Sequence, residues 1–542
     1  MPDKDEKNSI AASLDGLFET WNRADQPGLI VGARHRGKIV YRRAFGMASL
    51  ETGVANSVAT QMRIGSTSKH FLAVLALQLQ QEGLLDLDAP IGKYIPELTA
   101  PTSEPTVRQL LQHRGGTRCH IDLGLIGHSD LAAPAGSALA TLRMQRGRNF
   151  LPGEATMYNN GGYHLVSLAA SRQAGMPFPA LLRRYQFDPL EMNNTALVPS
   201  DYVMTPGIAS FHLRGDGCWR RGLCLSHEIL GEGGIVSTVD DMLKWTRCLH
   251  SRDLFGQERT LDLLTDAPPE SDGSPGYYGL GMMARTYRGV TVFNHPGGVL
   301  GGSADLACIP DHELDIIIMS NGAPSAVPYF LSEKIVDIVL ADRLDPPTAY
   351  PDPKDHQEWL GCFGSRKTGM VYGLQALNGT VFLTVAQYRS PYRLERAADN
   401  WLSTDISGLS KIRLRCERLE DGTPSIRLRF AGQEDVLERL PAAEQLQHLP
   451  GPDDIEGEFE SPESGLSAKI ERQDGQPTLT VRDRWGVSDF DLLPLGGQWL
   501  TMLSRPNADQ FWATLWFPDG WAAGFTLNSA RTRNLPFKRV SA

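Results

Sequence analysis

Hydrophobic and polar positions alternate through residues 29–49, LIVGARHRGKIVYRRAFGMAS, on either side of Arg36-Gly37-Lys38, and this period of two predicts a β-hairpin. The rhythm changes over 67–85. There Phe71, Val74, Leu75, Leu79 and Leu85 recur at helical spacing in a stretch that is apolar nearly all round, so a buried helix is expected. Much later, VTVFNHPGG, ADLACIP and LDIIIMSNG read as consecutive antiparallel strands. Helices followed by a run of strands fit an α+β domain with helices on the faces of its sheet. The pattern stops after Leu340. The prolines and aspartates of ADRLDPPTAYPDPKD cannot continue a helix or strand, and they mark a linker over 341–356.

Beyond the linker the segments become short and β-like, and they repeat at a constant offset of 96 residues. Gly361, Phe363, Ser365 and Gly369 recur as Gly457, Phe459, Ser461 and Gly465; Gly379 recurs as Gly475, and Leu383-Thr384-Val385 as Leu479-Thr480-Val481. Such a repeat predicts two related β-barrel domains, over 357–447 and 452–542, behind a first domain of residues 1–340.

The length of 542 residues, with 54 Gly and 35 Pro, agrees with about three domains at roughly 100–200 residues each. Hydrophobic residues at 41% and charged ones at 21% provide a sizeable core and argue against wholesale disorder. Lys plus Arg number 53 against 63 Asp plus Glu, a balance of −10 without a basic block, which disfavours nucleic acid or an anionic membrane as partner. No apolar run reaches the ~18 residues of a spanning helix. The acidic start, MPDKDEKNSIAASLDGLF, lacks the apolar core of a signal peptide, so a cytoplasmic setting is expected. Seven scattered cysteines, none in C-x-x-C spacing, indicate neither a disulfide framework nor a zinc site.

Three motifs of the first domain carry candidate chemistry. In Ser66-Thr67-Ser68-Lys69 the first and last residues share a helix face, so hydroxyl and amine can meet, and burial of the amine would favour its neutral, proton-accepting form. In Tyr158-Asn159-Asn160 a phenol near ammonium groups can act as general base, and Asn160 can hydrogen-bond both a substrate carbonyl and the lysine. In Asn294-His295-Pro296-Gly297-Gly298 the glycines permit close backbone approach, and the Gly298 N–H can face an oxyanion. Taken singly, each motif reads equally as a helix cap with a surface lysine, as a turn, or as a hairpin edge.

Order and spacing separate them from those readings. Ser-x-x-Lys, then Tyr-x-Asn about 90 residues on, then His-x-Gly some 135 further, resembles the serine β-lactamase-like, penicillin-recognising superfamily. The phrases RIGSTSKHF, EGLLDLDAPIGKYIPEL, TVRQLLQHRGG, YQFDPLEMNNT and GEGGIVSTVDDMLKW extend the resemblance across nearly the whole first domain. With two barrels behind it, the layout is similar to that of the D-aminopeptidases in that superfamily.

That resemblance implies an α+β, β-lactamase/transpeptidase-like catalytic domain followed by two antiparallel β-barrel domains. It implies a serine nucleophile at Ser66 served by Lys69, Tyr158 and His295, with Asn160, Gly297 and Gly298 on the substrate, and no metal or organic cofactor. The expected partner is a small peptide or amino-acid amide with a free amine, and the chain is compatible with a homodimer. In such enzymes a third-domain loop enters the cleft with an acidic group for the substrate amine. RDRWGVSDF (482–490) is the best match to that loop, with Asp489 the candidate anchor and Asp483 the alternative. Two residues depart from the pattern: Asn159 in the middle of the second motif, and Pro296 after His295. A histidine at 295 is a weaker carboxylate anchor than the lysine of most β-lactamases, which disfavours substrates recognised through a C-terminal carboxylate. The alternatives are an esterase, β-lactamase or D,D-carboxypeptidase of the same fold and, from another class, a non-catalytic binding or scaffold protein.

Overall fold

The computed structural model describes residues 4–128, 133–215, 217–222, 228–255, 259–271, 273–323, 327–385, 388–406, 410–430, 432–441, 455–505, 512–529 and 531–541. The first domain is built on a six-stranded antiparallel sheet of β1 (Leu29–His35), β2 (Lys38–Phe45), β3 (Met283–Tyr287), β4 (Val290–Val299), β5 (Gly302–Ile309) and β6 (Leu314–Ser320), in the order β3-β4-β5-β6-β1-β2. The expected hairpin is present: His35 pairs with Lys38, and Arg36 and Gly37 take φ of 51° and 74°, the left-handed pair that a two-residue turn between twisted strands requires.

Both faces of this sheet are covered. Leu29, Val31 and Ala33 pack toward Leu14 and Phe18 of the first helix and toward the helix Pro328–Val339. On the opposite face Ile30 joins the main core with Phe71, Val74, Leu75 and Trp245. The expected buried helix runs from Lys69 to Gln81 (α1), behind a 3₁₀ turn over Gly65–Ser68. Phe71 stacks on Trp245 with ring centres 3.9 Å apart, so the helix is held by aromatic packing as well as by its aliphatic faces. Two further helices matter for the site: α2 (His120–His128) and α3 (Asn160–Ala174).

After the helix Pro328–Val339 the chain is irregular or 3₁₀ up to Leu360, and a nine-stranded, nearly closed antiparallel sheet then begins at Gly361–Gly364. The last unit is a closed eight-stranded barrel, from Gly457–Glu460 to Leu535–Ser541. The 96-residue repeat is conformational. Ser365 N donates to Met370 O and Gly369 N to Ser365 O, and the same pair of bonds runs from Ser461 to Leu466 and from Gly465 to Ser461. Phe363 and Phe459 are both fully buried.

The barrels are joined to each other and to the first domain. Val371, Leu440 and Trp499 form a small core between them, and Thr514 Oγ1 donates to Gly369 O. From the first domain, Leu123 and Ile126 of α2 enter the hydrophobic core of the closed barrel, beside Phe459, Phe490 and Phe537. Among the described residues no helix is long and apolar enough to cross a membrane.

Candidate active site

Residues 62–77 are buried with one exception, Ser66, which is partly exposed. The 3₁₀ turn that carries it is entered through Gly65, at φ 53°, a left-handed conformation that favours glycine. A side chain there would also strike the facing strand, because its Cβ would lie 2.8 Å from Gly298 N. At Gly297 the constraint is tighter still: a Cβ would fall 1.8 Å from Ile64 O. Gly65 of the turn and Gly297 of β4 therefore let the two backbones lie against each other, and Thr67 Oγ1 ties them together by donating to His295 O at 2.9 Å. At Gly298, which is exposed, a Cβ would meet nothing within 4 Å.

Lys69 Nζ is the hub of the site. It donates to Ser66 Oγ at 3.1 Å, to Asn160 Oδ1 at 2.8 Å and to the backbone carbonyl of Glu232 at 2.6 Å. Burial pushes the Lys69 ammonium well below its ordinary range; the Glu232 carboxylate opposes this and the Arg531 guanidinium adds to it. A neutral amine in contact with a serine hydroxyl can take the proton of that hydroxyl as it attacks.

Tyr158 is buried, with Lys69 Nζ 4.8 Å from its ring centre. It precedes α3, whose N-cap is Asn159: the side-chain oxygen accepts from Gly161 N at 2.7 Å, and its amide donates to Thr117 O. The residue that departed from the expected motif is thus the cap that aims Tyr158 and Asn160, a role that Asn-Asn-Gly-Gly before an apolar helical run signals.

His295 is fully buried, and both ring nitrogens are engaged. Nδ1 faces the carbonyl of Pro296 at 2.7 Å, so it carries the proton, and Nε2 accepts from the Tyr278 hydroxyl at 2.8 Å. Burial, with Lys69 next, holds this imidazole neutral, well below the usual histidine range. Tyr278 was not legible in the sequence, since no motif surrounds it. It packs with His113 and Tyr158 behind the site.

The fold assembles Ser66, Lys69, Asn160, Tyr158, His295, Gly297 and Gly298 at one place. It does not bring Asp489 there. Asp489 is exposed on the strand Val487–Gly496 and accepts from Thr480 Oγ1 at 2.7 Å. Asp483 is taken by His128 Nδ1, at 2.6 Å, on the far end of α2, and Ser488 Oγ donates to Leu125 O of the same helix. Segment 482–490 is therefore a docking surface for α2.

Among the described barrel residues, Arg531 reaches the site. Its guanidinium carbon lies 5.5 Å from the centre of the Tyr158 ring. Its backbone is anchored to the first domain: Arg531 N donates to Asp122 Oδ2 at 3.2 Å, Ser529 Oγ donates to the same carboxylate, and Arg531 O accepts from Asn149 Nδ2 at 3.0 Å. No sequence signal marks this segment, because its partners lie nearly 400 residues away.

A family model described as Beta-lactamase matches residues 14–339. Over 360 residues, or 65% of this chain, the sequence is 26% identical to a D-aminopeptidase of Brucella canis, and the chain spans 66% of the length of that relative. A D-aminopeptidase of Brucella anthropi is 27% identical over 361 residues, 64% of this chain and 65% of its own length. Among solved structures, the octameric penicillin-binding protein homologue from Pyrococcus abyssi has a TM-score of 0.54 at 18% identity, covering 90% of this chain and 99% of that one. A D-amino acid amidase from Ochrobactrum anthropi SV3 complexed with D-phenylalanine has a TM-score of 0.51 at 21% identity, covering 62% and 98%. At these identities the structural likeness speaks for the fold alone.

Proposed function

Because this chain belongs to the beta-lactamase family, we propose that it is a serine hydrolase that forms an acyl-enzyme on Ser66 and releases N-terminal D-amino acids from peptides, amides or esters. The observation that carries this reading is the 3.1 Å contact between Ser66 Oγ and the amine of Lys69, which burial favours in its neutral form. The D-aminopeptidase relatives support the substrate class.

In the proposed reaction Lys69 takes the Ser66 proton as Oγ attacks the carbonyl carbon. The oxyanion that develops is met by the backbone N–H groups of Ser66 and Gly298. Asn160, bonded to Lys69, orients the substrate. Tyr158 protonates the departing amine, which breaks the C–N bond, and then takes a proton from the attacking water, while Lys69 returns its proton to Ser66 Oγ as the ester C–O bond breaks. His295, closed off by Tyr278 and the Pro296 carbonyl, holds the strand of Gly297 and Gly298 in place and does not itself meet the substrate.

One observation favours a second reading. Arg531 puts a permanent cation beside Tyr158, paired at 3.7 Å with Asp122, and a substrate carboxylate could share it, which favours a β-lactamase or D,D-carboxypeptidase of the same fold. Assays of D- and L-aminoacyl p-nitroanilides beside a chromogenic cephalosporin separate the two, with wild type and Ser66→Ala compared. D-selective amide release that disappears in the variant supports the aminopeptidase. Cephalosporin turnover without amide cleavage selects the second reading, and inactivity on every substrate selects a non-catalytic binding protein.

A further inference from the structure

Three side chains from separate parts of the first domain converge beside the catalytic lysine without taking part in the chemistry above. His120 opens α2, His164 lies on the first turns of α3, and Glu232 sits in the turn before the strand Ile235–Ser237. One ligand atom from each lies within 4.8 Å of both others. His164 and Glu232 are buried, and His164 Nδ1 is bonded to Glu232 Oε1 at 3.0 Å. That single bond leaves much unused. His120 Nδ1, His164 Nε2 and Glu232 Oε2 are all buried and have no hydrogen-bond partner among the described residues.

Buried polar atoms are nearly always partnered, so unpartnered atoms on all three converging residues call for something that the three side chains can share, with His164 turning Nδ1 from Glu232 to the ligand. From this convergence we propose that His120, His164 and Glu232 form a binding site for a divalent transition-metal ion of the zinc class. Two imidazoles and a carboxylate are the donor set such an ion takes, and a fourth position is left for water. An ion at about 2.0–2.2 Å from each donor draws the three closer together than they now stand. No sequence spacing reveals the site, because its ligands are far apart in the chain and lack any local motif.

The site has a structural consequence for the reaction centre. The backbone carbonyl of Glu232 accepts from Lys69 Nζ, so the ion would pin the turn that holds the catalytic amine. Its role is to position Lys69, with no contact to the substrate.

The test uses the full-length protein stripped with a chelator and titrated with ZnCl2 and CoCl2. One ion per chain is expected, together with a raised melting temperature and a cobalt spectrum of nitrogen and oxygen ligands without a thiolate charge-transfer band. His120→Ala, with circular dichroism to verify folding, should weaken zinc binding by about tenfold or more. The second group of potential ligands, His250, Cys308 and Asp315, provides the control, and His250→Ala should leave the stoichiometry unchanged. The proposal is overturned if the wild-type protein binds no zinc or cobalt, if a thiolate band appears, or if His250→Ala rather than His120→Ala abolishes binding. Metal content and spectrum are read without any substrate, so these outcomes are independent of the proposed hydrolysis.

Discussion

The guanidinium carbon of Arg531, carried by the last barrel, lies 5.5 Å from the ring centre of Tyr158 in the first domain. The C-terminal domain thus reaches the candidate site, where it presents a guanidinium that pairs with Asp122 at 3.7 Å. Arg531→Gln is expected to raise KM about tenfold or more for D-aminoacyl peptides that end in a free carboxylate, since charged hydrogen bonds contribute roughly 1.5–3 kcal/mol. For the corresponding uncharged p-nitroanilides KM should change little. Equal losses on both substrates would show that Arg531 acts on Tyr158 and not on a substrate carboxylate.

Asp122 holds Arg531 directly, with Oδ1 3.7 Å from Arg531 Nη1. Its carboxylate accepts from Ser529 Oγ and Arg531 N, and it is buried. Asp122→Ala removes the acceptor of two hydrogen bonds and the ion pair to Arg531, which should cost about 1–3 kcal/mol of stability and shift kcat/KM in the same direction as Arg531→Gln. Thermal unfolding beside the kinetic series checks this. A normal substrate profile in Asp122→Ala would mean that Arg531 is positioned by other contacts.

Asp489 provides the contrasting case. Its carboxylate faces Thr480 on an exposed strand, so Asp489→Ala should alter the preference for free-amine over N-acetylated substrates by less than about twofold, as surface changes usually do. Loss of that preference would return the amine anchor to this position.

The adjacent glycines of β4 should respond in opposite ways. At Gly297 a methyl group collides with the Ile64 carbonyl, so Gly297→Ala should lose about 3 kcal/mol or more of stability, or fail to fold. At Gly298 the same methyl group meets no atom, so Gly298→Ala should unfold within about 1 kcal/mol of wild type and show its effect only in turnover. Denaturant unfolding of the two variants distinguishes them, and similar stabilities would refute the close approach of β4 to the serine turn.

The pH dependence follows from Lys69. Burial holds its folded-state pKa well below the ordinary value, and the proposed base is the neutral amine. Activity should therefore be low under acidic conditions, rise as pH passes upward through that depressed pKa, and stay high above it. Lys69→Arg keeps a proton at every accessible pH and should be inactive throughout. A profile that falls with rising pH over the same range would assign the lysine a charged role.

Much of this arrangement was legible in the residues. The period of two around Arg36-Gly37 and the apolar run from Phe71 to Leu79 identify their elements, because burial of a sheet face or of a helix leaves its own spacing in the chain. The repeated Gly, Ser and Phe of the two barrels were visible because each barrel closes the same turn in the same way, from Ser365 to Met370 and from Ser461 to Leu466. Ser66, Lys69, Tyr158, Asn160 and His295 could be proposed because the order and spacing of their motifs resemble a known superfamily, not from any one motif alone. The partners of His295 could not. Tyr278 holds its Nε2 from a segment with no pattern of its own.

The sequence by itself determined the elements, the repeat and the candidate site residues that travel in motifs. Only the tertiary structure decided which part of the last barrel meets that site: Arg531, docked through Asp122, while 482–490 is spent on α2. The physical reason lies in the range of the forces. Periodicity and capping act over a few residues and are written locally. The placement of a barrel depends on Leu123 and Ile126 entering a core made hundreds of residues later, and no local pattern encodes which loop such packing will turn toward the serine.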